Sequence, residues 1–71
     1  METITAAAII HQAAKLYIEY FEERSSAATI TTAANLEGKM QSIMDMVLAL
    51  GLNVTDVILE TRRIYAEEAA R

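Results

Sequence analysis

The sequence has no cysteine, no proline and no tryptophan, and only two glycines among its 71 residues. Without cysteine there are no disulfides, thiolate metal ligands or thiol nucleophiles, so packing and association are left to stabilise the fold. Without proline, and with Ala, Glu, Leu and Met abundant, the composition favours helix over strand. The sequence therefore predicts an all-α protein.

Positive charge is also scarce, since 6 Lys and Arg stand against 10 Asp and Glu, for a net charge of −4. This balance opposes binding to nucleic acid and to anionic membranes, but it suits a basic protein partner. Long apolar runs are missing too. The longest, residues 6–10 and 46–50, have five residues each, which is far below the roughly 20 residues that cross a bilayer, and no basic signal-peptide region precedes the first of them. We expect a cytoplasmic protein with no cofactor.

The large apolar side chains are numerous for such a short chain. Hydrophobic residues make up 54% of the sequence, and once the 13 alanines are set aside, about 25 side chains remain that are large enough to build a core. A domain of this size buries only about 60% of its unfolded surface, so several of these side chains should stay exposed and favour self-association. We predict one domain over residues 1–71 that forms a homodimer.

The first predicted helix begins at Thr3 or Thr5 and ends at Arg24. At 100° per residue, its apolar side chains share one broad face opposite a charged one. This face either packs on the other helices or forms the centre of a dimer interface, where tyrosine is enriched. Its members are Ala6, Ile9, Ile10, Ala13, Leu16, Tyr17, Tyr20 and Phe21.

Residues 25–32 (SSAATITT) carry no charge and are rich in Ser and Thr, which compete with helix formation. This segment predicts the first break, with Thr31 or Thr32 as the N-cap of the second helix. Apolar residues then recur at spacings of 4, 3, 4 and 3, which is the clearest periodic pattern of the sequence. They are Leu36, Met40, Ile43, Val47 and Leu50.

A second break is predicted at residues 51–53. Gly51 suits the left-handed position after a helix, Leu52 can fold back on Val47 or Leu48, and Asn53 can cap the next helix. The third helix then turns a group of residues inward, and it should pair with the second as an antiparallel hairpin. The inward residues are Val54, Val57, Ile58, Thr61, Ile64 and Tyr65.

A single long helix is the alternative to this hairpin, because the 4,3 spacing continues through the glycine. Such a helix, from about Thr32 to Arg71, would form a rod that needs a second chain. It would place Gly51 in a helix interior at a cost of about 1 kcal/mol relative to Ala. The stop and cap residues favour the hairpin.

Candidate catalytic groups are few. His11 is the only imidazole, so no second His or Cys can share a metal with it, and general base catalysis would need an orienting group and a substrate pocket. The clustered carboxylates lie beside basic residues on helix faces typical of solvated surfaces. We therefore predict neither an enzyme nor a metal site.

The segment 46–59 resembles a helix-turn-helix in its spacing, with Gly51 in the turn. DNA binding is therefore an alternative function. The residues that would face the major groove include no Arg or Lys, and the domain is acidic. Both features disfavour DNA binding.

The leading prediction is a non-enzymatic interaction or regulatory module, an acidic helical adaptor or inhibitor that acts as a homodimer and has a basic protein as its possible partner. Aromatic side chains of the first helix and apolar side chains outside the main stripes are the expected interface. These residues are Tyr17, Tyr20, Phe21, Met44, Met46, Leu48 and Leu59.

Overall fold

The computed structural model describes residues 5–71, which form three helices: α1 (Ala6–Ser25), α2 (Ile30–Ala49) and α3 (Val54–Ala69). Within this range no residue is in a strand, so the all-α prediction is confirmed. None of the described helices has the length and apolarity that a bilayer crossing requires.

Helix α1 begins at one of the two predicted starts. The hydroxyl of Thr5, in an extended backbone conformation, accepts a hydrogen bond from the Ala8 amide at 3.1 Å. This is an N-cap, in which a side chain satisfies an amide that has no partner within the helix. The other start, Thr3, lies outside the described residues. At its far end α1 runs to Ser25, one residue beyond the predicted end.

The first break is shorter than predicted, because α2 starts earlier. Thr29 is its N-cap and accepts from the Thr32 amide at 3.1 Å. The predicted caps, Thr31 and Thr32, were therefore wrong, and both residues belong to the first turn of α2. Several hydroxyl residues in a row can each cap a helix, and the one whose backbone is extended takes that role.

The second break matches its prediction closely. Gly51 has a φ of +77°, its amide donates to the Leu48 carbonyl at 2.9 Å, and the Leu52 amide donates to the Val47 carbonyl at 3.0 Å. These two bonds define a Schellman motif, which satisfies the last carbonyls of a helix. The side chain of Asn53 then accepts from the Thr55 amide at 2.9 Å and caps α3. The long helix of the rod alternative is interrupted here.

Helix α1 makes most of the contacts between helices, since it packs on both α2 and α3, which contact each other little. Helices α1 and α2 are antiparallel, because Arg24 near the end of α1 contacts Glu37 in the first half of α2. His11 contacts Glu60, whereas Ile18 lies beside Ile64, so α1 and α3 run in the same direction. The C-terminal ends of α1 and α3 therefore lie at the same end of the molecule.

The core is small. Its central cluster contains three large apolar residues, Ile43, Val47 and Val57, together with Ala13 and Ala14 of α1. The two alanines let the other helices approach α1 closely, because a short side chain separates the backbones little. Ala14, which the helical wheel did not assign to the inward face, is completely buried because α3 covers that side of α1.

Three residues assigned to inward faces are more exposed than expected. Ile58 and Tyr65 on α3, and Leu50 after α2, each keep at least two fifths of their surface accessible. Tyr65 lines a hollow between α1 and α3, where α1 covers only part of its ring. Leu50 is the C-cap of α2, where the chain turns away from the core.

Candidate protein-interaction surfaces

The described chain is more open than a compact domain of its length. Its radius of gyration is 13.3 Å, compared with about 11 Å for a compact fold of this size. Its accessible surface is 5223 Å², which exceeds the roughly 4,400 Å² of a compact monomer of this mass by about 800 Å². Much apolar surface is therefore left without cover.

One apolar hollow lies between α1 and α2 and has a volume of about 240 Å³. Met46, whose surface is 50% accessible, forms its α2 side. A second hollow of about 260 Å³ continues from it, because Leu16 and Met46 line both. We call this continuous surface the α1–α2 groove, and its first hollow is lined by Ala8, Ile9, Gln12, Ala13, Leu16 and Met46.

The far end of the α1–α2 groove is polar. The Lys39 ammonium lies 5.5 Å from the centre of the Tyr20 ring, within the range of a cation–π interaction. Beyond it, Arg24 and Glu37 form an ion pair at 2.6 Å between the two helices. The apolar part of the groove is therefore bounded by charges at the end of α1 that leads to the first break.

A different hollow lies between α1 and α3. It has a volume of about 100 Å³, enough for a single side chain, and we call it the α1–α3 cleft. Its aromatic walls are partly accessible, with Phe21 43% and Tyr65 40% exposed. Its lining consists of Tyr17, Ile18, Phe21, Thr61 and Tyr65.

Carboxylates border the α1–α3 cleft. An adjoining hollow shares Ile18 with it and is lined by Glu19, Glu22 and Glu68, with Lys15 as the only basic residue of its lining. Partial burial, followed by the charges of Glu22 and Glu68, raises the pKa of Tyr65 above its ordinary value. The cleft is thus apolar at its walls and negative at its edge.

An ionic network also joins α1 to α3, closer to the start of α1 than the residues that line the α1–α3 cleft. The Glu60 carboxylate accepts from His11 Nδ1 at 2.5 Å and from Arg63 at 2.7 and 2.8 Å. Since a carboxylate only accepts, Nδ1 carries the proton. The Arg63 hydrogen bond, and after it that of His11, lower the pKa of Glu60 from 4.5 to about 2. The sequence pattern did not predict the contact between Glu60 and His11, which lie 49 residues apart along the chain.

The geometry of this ionic network is typical of a contact that holds two helices together. Its carboxylate is held by two donors on a helix–helix boundary, and none of the hollows described above is lined by His11 or Glu60. Among residues 5–71 there is also no group of three or more His, Cys, Asp or Glu side chains placed to hold a metal ion.

The structure does not bring the seven predicted interface residues together. Tyr17 and Phe21 line the α1–α3 cleft, whereas Tyr20 and Met46 line the α1–α2 groove. Met44 packs against the core. Leu48 and Leu59 are exposed and line neither hollow. The predicted residues therefore belong to at least two separate surfaces.

The apolar patterns alone could not assign these surfaces, because the angle of α3 on α1 decides which residues share a hollow. Ile18, for example, is not among the residues assigned to the broad apolar face of the first helix, but it is half-buried beside α3. Comparison with protein-family models, with curated proteins and with solved structures finds no match to this chain.

Proposed function

We propose that the protein is a non-enzymatic interaction module that acts as a homodimer, with the α1–α2 groove as its self-association surface. The observation that supports this most directly is the groove itself. Apart from Gln12, the residues that line its first hollow are all apolar, and such a continuous surface on a small protein is typical of an interaction site.

The exposed area fits a second copy of the chain. A standard interface removes about 800 Å² from each partner, which is close to the excess surface of the open chain. In a twofold dimer the same patch faces itself, so each apolar residue of the groove contributes twice. Burying the groove would also add the large side chains that the small core lacks.

The predicted hairpin of α2 and α3 belongs to this proposal. In the single chain these two helices have few mutual contacts, and both pack on α1 instead. The module would then present its acidic residues outward, where they attract a basic partner and accelerate its association.

The test is Met46→Glu, with the mass in solution measured against concentration by light scattering. Half of the Met46 surface is available for burial, so each protomer should lose about half of the 1.5–3 kcal/mol that a buried Met contributes. Two copies give about 1.5–3 kcal/mol, and the dimer dissociation constant should rise roughly ten- to hundredfold. The buried carboxylate would increase this further.

Ile30→Glu is the matched control, because Ile30 is an apolar residue of the same helix, 89% exposed and remote from the groove. The first turn of α2 contains no acidic residue, so a carboxylate there suits the helix dipole. The control should dimerise like the original chain. If the original chain is a monomer at all concentrations, the groove is excluded as a dimer surface. The same conclusion follows if both substitutions weaken dimerisation equally.

DNA binding, the alternative function, stays a weaker prediction. The exposed apolar residues at the start of α3, such as Ile58 and Leu59, offer no positive charge to phosphates. Gel-shift experiments at low salt test it directly, since binding that weakens steeply with added salt would support it.

A further inference from the structure

We propose that the α1–α3 cleft binds a basic amphipathic helix of a partner protein, which inserts an apolar side chain between the aromatic rings and places Arg or Lys beside the carboxylates. This inference rests on the proposed role as an interaction module and specifies the partner. It concerns a different surface from the α1–α2 groove.

The aromatic lining supports an apolar anchor. Phe21 and Tyr65 are large rings that stay about two fifths exposed. Tyr17 and Ile18 complete a hollow of about 100 Å³. Aromatic residues around a pocket for one side chain are typical of the centre of an interface, where a few anchors supply most of the affinity.

The charges at the edge of the cleft require positive groups opposite them. Among residues 5–71, Glu19, Glu22 and Glu68 form no ion pair. Two of the six Lys and Arg side chains, Arg24 and Arg63, form ion pairs with other carboxylates, and Lys15 is the one basic residue that lines the same hollow as these three glutamates. With three carboxylates and one ammonium group in this lining, the edge of the cleft keeps a net negative charge.

These carboxylates also act against the fold. Glu22 and Glu68 lie in the last turns of α1 and α3, where a negative charge interacts unfavourably with the helix dipole. The two C-terminal ends are close together because α1 and α3 run in the same direction, so the unfavourable potentials add. Residues that oppose local stability without a compensating contact are expected where function requires them.

The test uses a synthetic 16-residue peptide of Ala, Leu and Arg, with leucines on one helical face and arginines on its flanks. Binding to the full-length, isotope-labelled protein is followed by NMR chemical shifts and by fluorescence titration. Amide shifts should centre on the residues that line the α1–α3 cleft. A peptide with Glu in place of Arg, and one with Ser in place of Leu, should each bind at least tenfold more weakly.

Two substitutions separate the anchor from the fold. Phe21→Ser should weaken binding at least tenfold, because it removes one wall of the pocket. Tyr65→Phe keeps the ring and should leave binding within about twofold. Unchanged affinity of Phe21→Ser, with the variant shown to be folded by circular dichroism, would overturn the proposal.

The double variant Glu22→Gln with Glu68→Gln tests the charges. At low salt its binding should weaken roughly three- to tenfold, while its melting temperature should stay the same or rise, because the unfavourable dipole interaction is removed. Asp45→Asn with Asp56→Asn changes the net charge equally, away from the cleft, and should bind the peptide as the original chain does. Equal weakening in both double variants would indicate nonspecific attraction and refute the cleft.

Failure of this proposal is distinguishable from failure of the dimer. A dimer that does not bind the peptide refutes the cleft and leaves the self-association surface standing. A monomer that binds the peptide, with chemical-shift changes at the cleft, refutes the self-association surface and supports the cleft. Shifts confined to the α1–α2 groove would refute the assignment of the cleft.

Discussion

Replacing Gly51 with alanine tests the turn on which the arrangement of α2 and α3 depends. The φ of Gly51 is +77°, and a Cβ atom added there would meet no other atom within 4 Å. The cost of the substitution is therefore conformational rather than steric. For a residue with a Cβ, the left-handed conformation costs about 1–2 kcal/mol.

The same substitution favours the uninterrupted helix. Alanine in a helix interior is preferred to glycine by about 1 kcal/mol. The 4,3 repeat of apolar residues also continues from Leu50 through the turn to Val54 and Val57. The free-energy difference between the turned and the continuous form should change by about 2 kcal/mol or slightly more in favour of the continuous form. This is roughly a 30-fold change in the ratio of their populations. A continuous helix over residues 30–69 would be about 60 Å long.

Thermal unfolding and small-angle X-ray scattering together provide the assay. Gly51→Ala should lower the melting temperature of the compact form by about 4–8 °C, which corresponds to about 1 kcal/mol in a domain of this size. At high concentration it should add an elongated dimer that the original chain lacks.

Gly38→Ala is the matched control, because Gly38 lies inside α2 and has equally open space around it. There alanine should raise stability by about 1 kcal/mol. If both substitutions stabilise the protein equally, the left-handed turn is wrong. If Gly51→Ala destabilises without any elongated species, the strain is confirmed and the competing rod is refuted.

Two further predictions concern the core and the α1–α3 network. Val47→Ala should lower the free energy of unfolding, measured by chemical denaturation, by about 2–3 kcal/mol, since Val47 is completely buried. Val54→Ala, at a partly buried site, should lower it by about half as much. Equal losses for the two variants would contradict a core centred on Val47. The pKa of Glu60 is lowered from 4.5 to about 2, so its ionised form stabilises the fold above pH 4.5 and this contribution is lost as the pH falls towards 2. The difference in melting temperature between the original chain and Glu60→Gln should narrow over that range, and a constant difference would show that the network does not matter to stability.

The sequence predicted the elements that local chemistry determines. The Schellman turn at Gly51 and the Asn53 cap depend on neighbouring residues, and the 4,3 repeat identified Leu36, Ile43 and Val47 as buried. The start of α2 was misplaced because consecutive hydroxyl residues give several equivalent caps. Local patterns were thus sufficient for helices and turns, except where they were degenerate.

The surfaces depended on tertiary geometry. The pairing of His11 with Glu60, the burial of Ala14 and the position of Ile18 beside α3 all follow from how α3 lies on α1. Helical wheels treat each helix by itself, so they contain no information about this angle. For the same reason the predicted interface residues formed one set in sequence but belong to at least two separate surfaces in space.

The small core also links the lifetime of this protein to its association. A domain with Ile43, Val47 and Val57 as the large residues of its central cluster has little stability to spare. Any partner that binds only the folded state adds stability that grows with the logarithm of the partner's concentration relative to the dissociation constant. Proteases cleave chains in proportion to the population that opens. Copies without a partner would thus be degraded first, and the amount of protein that persists would follow the amount of partner available.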